Sequence, residues 1–142
     1  MHHYTKLGAS ISIFDNESTD ATGEIATQWP GTTVSSFDTN NTLPDDVNFR
    51  IKSTAWRGPE APPVDRVICV DIDELIHHSN LRQYLGSCDE AGYDVVVPME
   101  VNMVPPTPRL DDVSREVCSL LPLIRRGVVN ALYSKSVMFQ QN

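Results

Sequence analysis

The sequence predicts an α/β protein, a three-layer sandwich on a mostly parallel sheet. Three observations predict it. Segments of strand and helix character alternate along most of the chain. The run "VICV" at 67–70 is apolar at every position, as a strand buried on both faces would be. Carboxylates crowd where two predicted strands end, in "DNESTD" (15–20) and "DIDE" (71–74), and ligands of open α/β sheets bind outside the carboxyl ends of strands. On this reading the two acidic loops share one rim of the sheet. The 142 residues, 40% hydrophobic and 21% charged, suit one globular domain with a real core.

Residues 1–7 read as the last turns of a helix closed by Gly8. "ASISIF" (9–14) alternates small or polar with apolar residues and includes β-branched ones, the pattern of a strand. Ser18 or Thr19 is positioned to cap a helix running to about Gln28, with Asp20 favourable in its first turn. Pro30-Gly31 turns the chain into a second strand, "TVSSF" (33–37). "LPDDVNFRIKSTAW" (43–56) predicts a helix with Val47, Ile51 and Ala55 on one face. After the proline-rich loop "RGPEAPP" (57–63) comes the third strand, "RVICV" (66–70). "SNLRQYLGSCDEAG" (79–92) reads as a helix capped by Ser79, and "YDVVVPME" (93–100) as a fourth strand. Further on, "DDVSREVCSLL" (111–121) predicts a helix and "VVNALYSKSVMF" (128–139) a final hairpin or strand pair.

Composition narrows the partners. A formal charge of −8 and pI near 4.8 argue against a nucleic-acid backbone or an anionic membrane surface. No apolar run is long enough for a transmembrane segment, and "MHHYTKLGAS" lacks the apolar core of a signal peptide. Cys69, Cys88 and Cys118 form an odd set without metal-ligand spacing, which points to a reducing, cytoplasmic setting. The sequons at Asn16 and Asn40 matter only in a secreted protein.

Why would a buried strand end in three carboxylates, Asp71, Asp73 and Glu74? Such acids repel one another unless a cation, a donor or water sits among them. Either the strand ends in solvent, or the acids hold something. Asp73 could bind Mg2+ or Mn2+ and neutralise a nucleoside diphosphate. Asp71 could be the nucleophile of a haloacid-dehalogenase-type phosphatase, but that pattern expects a small β-branched residue where Leu75 stands. It also expects a later lysine, and none follows Asp73 until Lys135. A structural Ca2+ loop would want oxygen ligands at alternate positions and a glycine turn. The nucleotide–metal reading survives best.

At "DNESTD", "FDTNNTLPDDVNFRIKSTAW" and "VDIDEL", in that order, the sequence resembles glycosyltransferase family 2 and its relatives with the GT-A fold, a Rossmann-like sandwich. The resemblance covers about residues 4 to 104, with a weaker echo in "YSKSVMFQ". It implies transfer of a sugar from a nucleoside-diphosphate donor, UDP- or GDP-linked, to a glycan or protein acceptor, with Mn2+ or Mg2+. It also implies roles for particular residues. Asp15 would contact the base or ribose, with Asn16, Ser18 and Asp20 shaping that loop; for Ser18 and Asp20 a turn-and-cap role is the plain alternative. Lys52 would face the nucleotide, or else be a solvated helix lysine. Asp71 would approach the ribose and, with Asp73, the metal, and Glu74 matches a common acid. Glu100 is a candidate base by position alone, the alternative being an exposed strand-end acid. His77 and His78 read as exposed loop residues.

Two departures from the family pattern set the rival reading. Family members begin with a strand before the "HHY" helix and continue past the equivalent of Asn142 into an acceptor part. Both ends are therefore expected to be missing here, which makes a non-catalytic remnant that binds sugar nucleotide or metal the alternative to a transferase.

Overall fold

A computed structural model describes residues 1–40, 42, 44–57, 61, 63–104, 126–130 and 138–141. The chain falls into two compact units, Met1–Pro63 and Val64–Asn142. The mixed α/β class holds. Parallel pairing, however, is confined among the described residues to one two-stranded sheet, and the other sheets are antiparallel, which corrects the expectation of a mostly parallel sheet.

In the first unit, α1 (His2–Thr5) is a single turn, and Gly8 follows in the left-handed region at φ 76°. Strand β1 (Ile11–Asp15) alternates as its sequence requires: Ile11, Ile13 and Asp15 are half-buried, Ser12 and Phe14 exposed. Helix α2 (Thr22–Thr27) returns the chain to β2 (Thr32–Ser36), which runs parallel to β1 in the register Ile11↔Thr32 to Asp15↔Ser36. Ala26, 2% exposed, is the buried residue of α2. Helix α3 (Asp45–Thr54) starts behind Pro44, whose extended backbone suits a cap position, and carries Asp45 and Asp46 where the helix dipole favours acids. Val47 and Ile51 are half-buried as expected, whereas Ala55, just past the last turn, is exposed and Phe49 is 74% exposed. The Trp56 indole donates to the Lys52 carbonyl at 3.2 Å, and the Arg57 guanidinium lies 4.2 Å from the Trp56 ring centre.

In the second unit, β3 (Arg66–Ile68) and β4 (Val95–Val96) both pair antiparallel with β7 (Met138–Gln140), which lies between them. Met138, 2% exposed, faces Ile68 and Val96 across the two ladders. Helix α4 (Leu81–Glu90) buries Leu81 and Cys88 with Leu85 half-buried between them, an i, i+4, i+7 stripe. It stops because Gly92 takes φ 74°. The Gly92 N–H then donates to the Asp89 carbonyl at 3.0 Å and the Tyr93 N–H to that of Cys88 at 2.9 Å, a Schellman ending. The cap at its start is Asn80 and not the expected Ser79: the Asn80 side chain accepts from the Gln83 N–H at 3.2 Å.

An ion-pair network ties this sheet to α4. The Arg66 side chain, 6% exposed, donates to Asp89 at 2.5 and 2.8 Å and to the Tyr93 carbonyl at 2.6 Å. Gln140 donates to the same Asp89 oxygen at 2.9 Å. These bonds hold the Asp89 carboxyl below its usual range, the Gln140 contribution being the largest.

The segment "YDVVVPME" does not form one strand. Pro98 has no N–H to give a ladder, and pairing resumes only at β5 (Val101–Val104), antiparallel to β6 (Arg126–Val129). A side chain on Gly127 would collide with the Val101 side chain, which would have to shift, and would approach the Asn102 carbonyl at 3.3 Å. The last two strands do not pair with each other as expected, since β6 joins β5 and β7 joins β3 and β4. The helix expected over 111–121 lies outside the described residues.

Candidate functional site

Asp15, Asn16, Asp20 and Lys52 belong to the first unit, and Asp71, Asp73, Glu74 and Glu100 to the second. Each acidic motif sits at the carboxyl end of its own strand. Asp15 is the last residue of β1, and the turn at 71–74 follows β3 after Cys69 and Val70.

In the first unit the turn is held by its own side chains. The Asp15 carboxylate accepts from the Ser18 hydroxyl at 2.5 Å and from the Ser18 N–H at 3.2 Å. Between them Glu17 stands at φ 49°, a left-handed conformation that costs a non-glycine residue about 1 kcal/mol. Ser18 is therefore a turn residue and not the helix cap. Asp20 accepts from the Thr22 N–H at 2.9 Å, and bonding to Thr22 lowers its pKa. As a result α2 begins at Thr22, later than the sequence suggested.

Asn16 does something sequence reasoning missed. Its amide donates to the Thr39 hydroxyl and the Thr42 carbonyl, both at 2.8 Å, while its oxygen accepts from the Thr39 N–H at 3.1 Å. Thr39 and Thr42 lie in the loop after β2, and the Phe37 N–H donates to the Asp15 carbonyl at 2.9 Å. Asn16 thus binds the loops at the carboxyl ends of both parallel strands to each other. Only the repeated threonines in "FDTNNT" hinted at such a partner. Lys52 is half-buried in the last turn of α3.

In the second unit the arrangement differs. Asp71 and Asp73 are exposed, Glu74 is half-buried, and Ile76, 8% exposed, anchors the chain just beyond them. The Asp71 N–H donates to a Glu74 carboxylate oxygen at 2.8 Å, and the Glu74 N–H donates to the Asp71 carbonyl at 3.0 Å. Among the described residues no group of three or more His, Cys, Asp or Glu side chains is arranged to hold a metal. The donor set still fits a hard divalent ion in one common mode, in which Mg2+ or Mn2+ takes one or two carboxylates and completes its shell with water and substrate phosphates. Asp71 and Asp73 are two such oxygen donors, two residues apart on one exposed turn. His77 and His78 are exposed; the His78 ring stacks on Tyr84 at 4.8 Å, and its Nδ1 accepts from the Asn80 N–H at 3.1 Å. Glu100 is half-buried immediately before β5, and its carbonyl accepts from the Asn130 N–H at 3.0 Å, extending the β5–β6 ladder by one bond.

No protein-family model, curated protein or solved structure matches the chain. Among the described residues no helix is long and apolar enough to cross a membrane.

Proposed function

We propose that this chain is the donor-binding part of a metal-dependent glycosyltransferase of GT-A, Rossmann-like form, moving a sugar from UDP or GDP to a glycan or protein acceptor. The observation that carries the reading is the position of "DNESTD" at the carboxyl end of β1, in the parallel β1–β2 pair, where ligands of open α/β sheets bind. The order of the blocks "DNESTD", "FDT" and "VDIDEL" supports it. Cys69 and Cys88 are thiols and not halves of a disulfide, which favours a reducing, cytoplasmic setting.

Each residue has a role on this reading. Asp15, held by Ser18, would receive a base or ribose hydroxyl, and Asn16 and Asp20 would keep that turn in shape. Asp73, with Asp71, would hold Mn2+ or Mg2+, which when bound supplies positive charge against the leaving diphosphate. Lys52 would face the nucleotide bound by the first unit. Glu100 would take the proton of the acceptor hydroxyl.

Calorimetric titration of UDP and GDP, with and without Mn2+, tests the reading. Binding is expected only with the ion, and Asp73→Ala is expected to abolish it while the circular dichroism spectrum stays unchanged. Metal-independent binding, or full binding by the variant, would overturn the assignment. Release of sugar from a bound donor separates a transferase from a protein that only binds.

A further inference from the structure

We infer that strand β5 is the interface of a homodimer, its outer edge pairing antiparallel with β5 of a second copy of this chain. Among the described residues β5 and β6 form a sheet of their own, and every residue of both strands is exposed. A two-stranded ribbon with neither face packed is marginal in water and gains from a further strand. The phase of its ladder shows where that strand fits. The Asn130 N–H donates to the Glu100 carbonyl at 3.0 Å, so Glu100 and Asn130 are a hydrogen-bonded pair. Such pairs alternate along an antiparallel ladder, which makes Asn102↔Val128 and Val104↔Arg126 bonded pairs as well. Val101 and Met103 therefore turn their N–H and C=O groups to the outer edge of β5. Among the described residues no strand meets them there.

Charge and symmetry choose a second copy as the occupant. The β5 residues, Val101 to Val104, include no charge, the usual device that closes an edge to pairing, whereas β6 opens on Arg126 and contains Gly127. In a chain of formal charge −8, two copies can meet at β5 without bringing like charges together. A two-fold axis at Asn102 makes the edge complementary to itself. It sets Val101 opposite the partner's Met103, each N–H facing the other's carbonyl, and Asn102 opposite the partner's Asn102, amide to amide. Val101 and Met103 share a face of the ribbon with Val129, so one apolar face then runs across both copies. On the other face Glu100 comes opposite the partner's Val104, whose neighbour on β6 is the partner's Arg126. Two strand spacings, ~10 Å, separate that arginine from Glu100, within reach of two long side chains of opposite charge.

Sedimentation equilibrium of the full chain tests the interface. Wild type is expected to show the mass of two chains at about 100 µM and to dissociate on dilution. Met103→Pro removes an outward N–H but no bond to β6, and Asn102→Asp sets two carboxylates face to face across the axis. Each is expected to weaken the dimer at least about tenfold at neutral pH, with the circular dichroism spectrum unchanged. Should the proline disturb the fold, Asn102→Asp decides. Exchange of the Val101 and Met103 amide hydrogens, followed by NMR, is expected to slow as the protein concentration rises. A single-chain mass at every concentration overturns the inference, and so does a dimer that Asn102→Asp leaves intact. Protection of the Val101 and Met103 amides that is independent of concentration also overturns it, because the edge is then covered within one chain.

Discussion

The turn after β1 and the turn after β3 carry the same kind of residue and use it in opposite ways. At the first, the Asp15 carboxylate is taken up by Ser18 and the Asn16 amide by Thr39 and Thr42. At the second, Glu74 is turned back on the chain to the Asp71 N–H, and Asp71 and Asp73 are exposed. Acidic loops that look alike in one dimension therefore differ in which carboxylate closes the turn: the first acid, Asp15, at one, and the last, Glu74, at the other. If the proposed function holds, substitutions at the first turn report in stability and those at Asp73 in binding.

Substitutions can break or sharpen that contrast. The largest effect on stability is expected from Asn16→Ala, which strands the Thr39 amide and unties two loops, at a cost of about 1–3 kcal/mol measured by urea denaturation. A loss below about 0.5 kcal/mol, the size of ordinary surface changes, would mean that the Asn16 tie is incidental. Asp15→Ala comes next, expected to cost about 1 kcal/mol through the lost Ser18 bonds, whereas Asp73→Ala should stay within about 0.5 kcal/mol of wild type. Equal losses at Asp15 and Asp73 would erase the distinction. Glu17→Gly should be smaller still and favourable, by up to about 1 kcal/mol, because glycine accepts φ 49° without the steric cost.

The smallest effect is one of pH. Asp89 has a lowered pKa in the folded state, first through Gln140 and then through Arg66. Its contribution to stability is therefore present above the ordinary value of 3.8 and lost as the pH falls through the lowered one. Asp20 acts in the same direction through Thr22. Urea midpoints of wild type and Asp89→Asn should differ at neutral pH and converge in acid; a difference that persists unchanged in strong acid would show that Asp89 acts by packing and not by charge.

Much of the framework was legible because it is local. The alternation in "ASISIF", the proline and paired acids before "VNFRIKST", and the apolar spacing in "LRQYLGSC" each name their element within a few residues. Boundaries slipped where two residues could compete for one role. Ser18 looked like a cap but is claimed by Asp15, and Ser79 lost the cap to its neighbour Asn80. Strand partners were not legible at all. Nothing near "MFQ" announces that it will lie between β3 and β4, since that pairing depends on residues far away in the chain. The Arg66–Asp89–Gln140 network was missed for the same reason, as each member looks like an ordinary surface polar residue alone. For the site, the positions of the carboxylates were readable, but which hydrogen each would accept was not.

Strand β7 sets a condition on the order of events during synthesis. Among the described residues both β3 and β4 reach the sheet through it, with Val67 opposite Phe139 and Val95 opposite the other side of the same residue. A nascent chain that has emerged as far as α4 and β4 still lacks the strand that pairs with both β3 and β4, and the groups that would bond to β7 wait without that partner. Such a chain invites capture by a chaperone or pairing with a neighbouring nascent chain until Met138, Phe139 and Gln140 leave the ribosome.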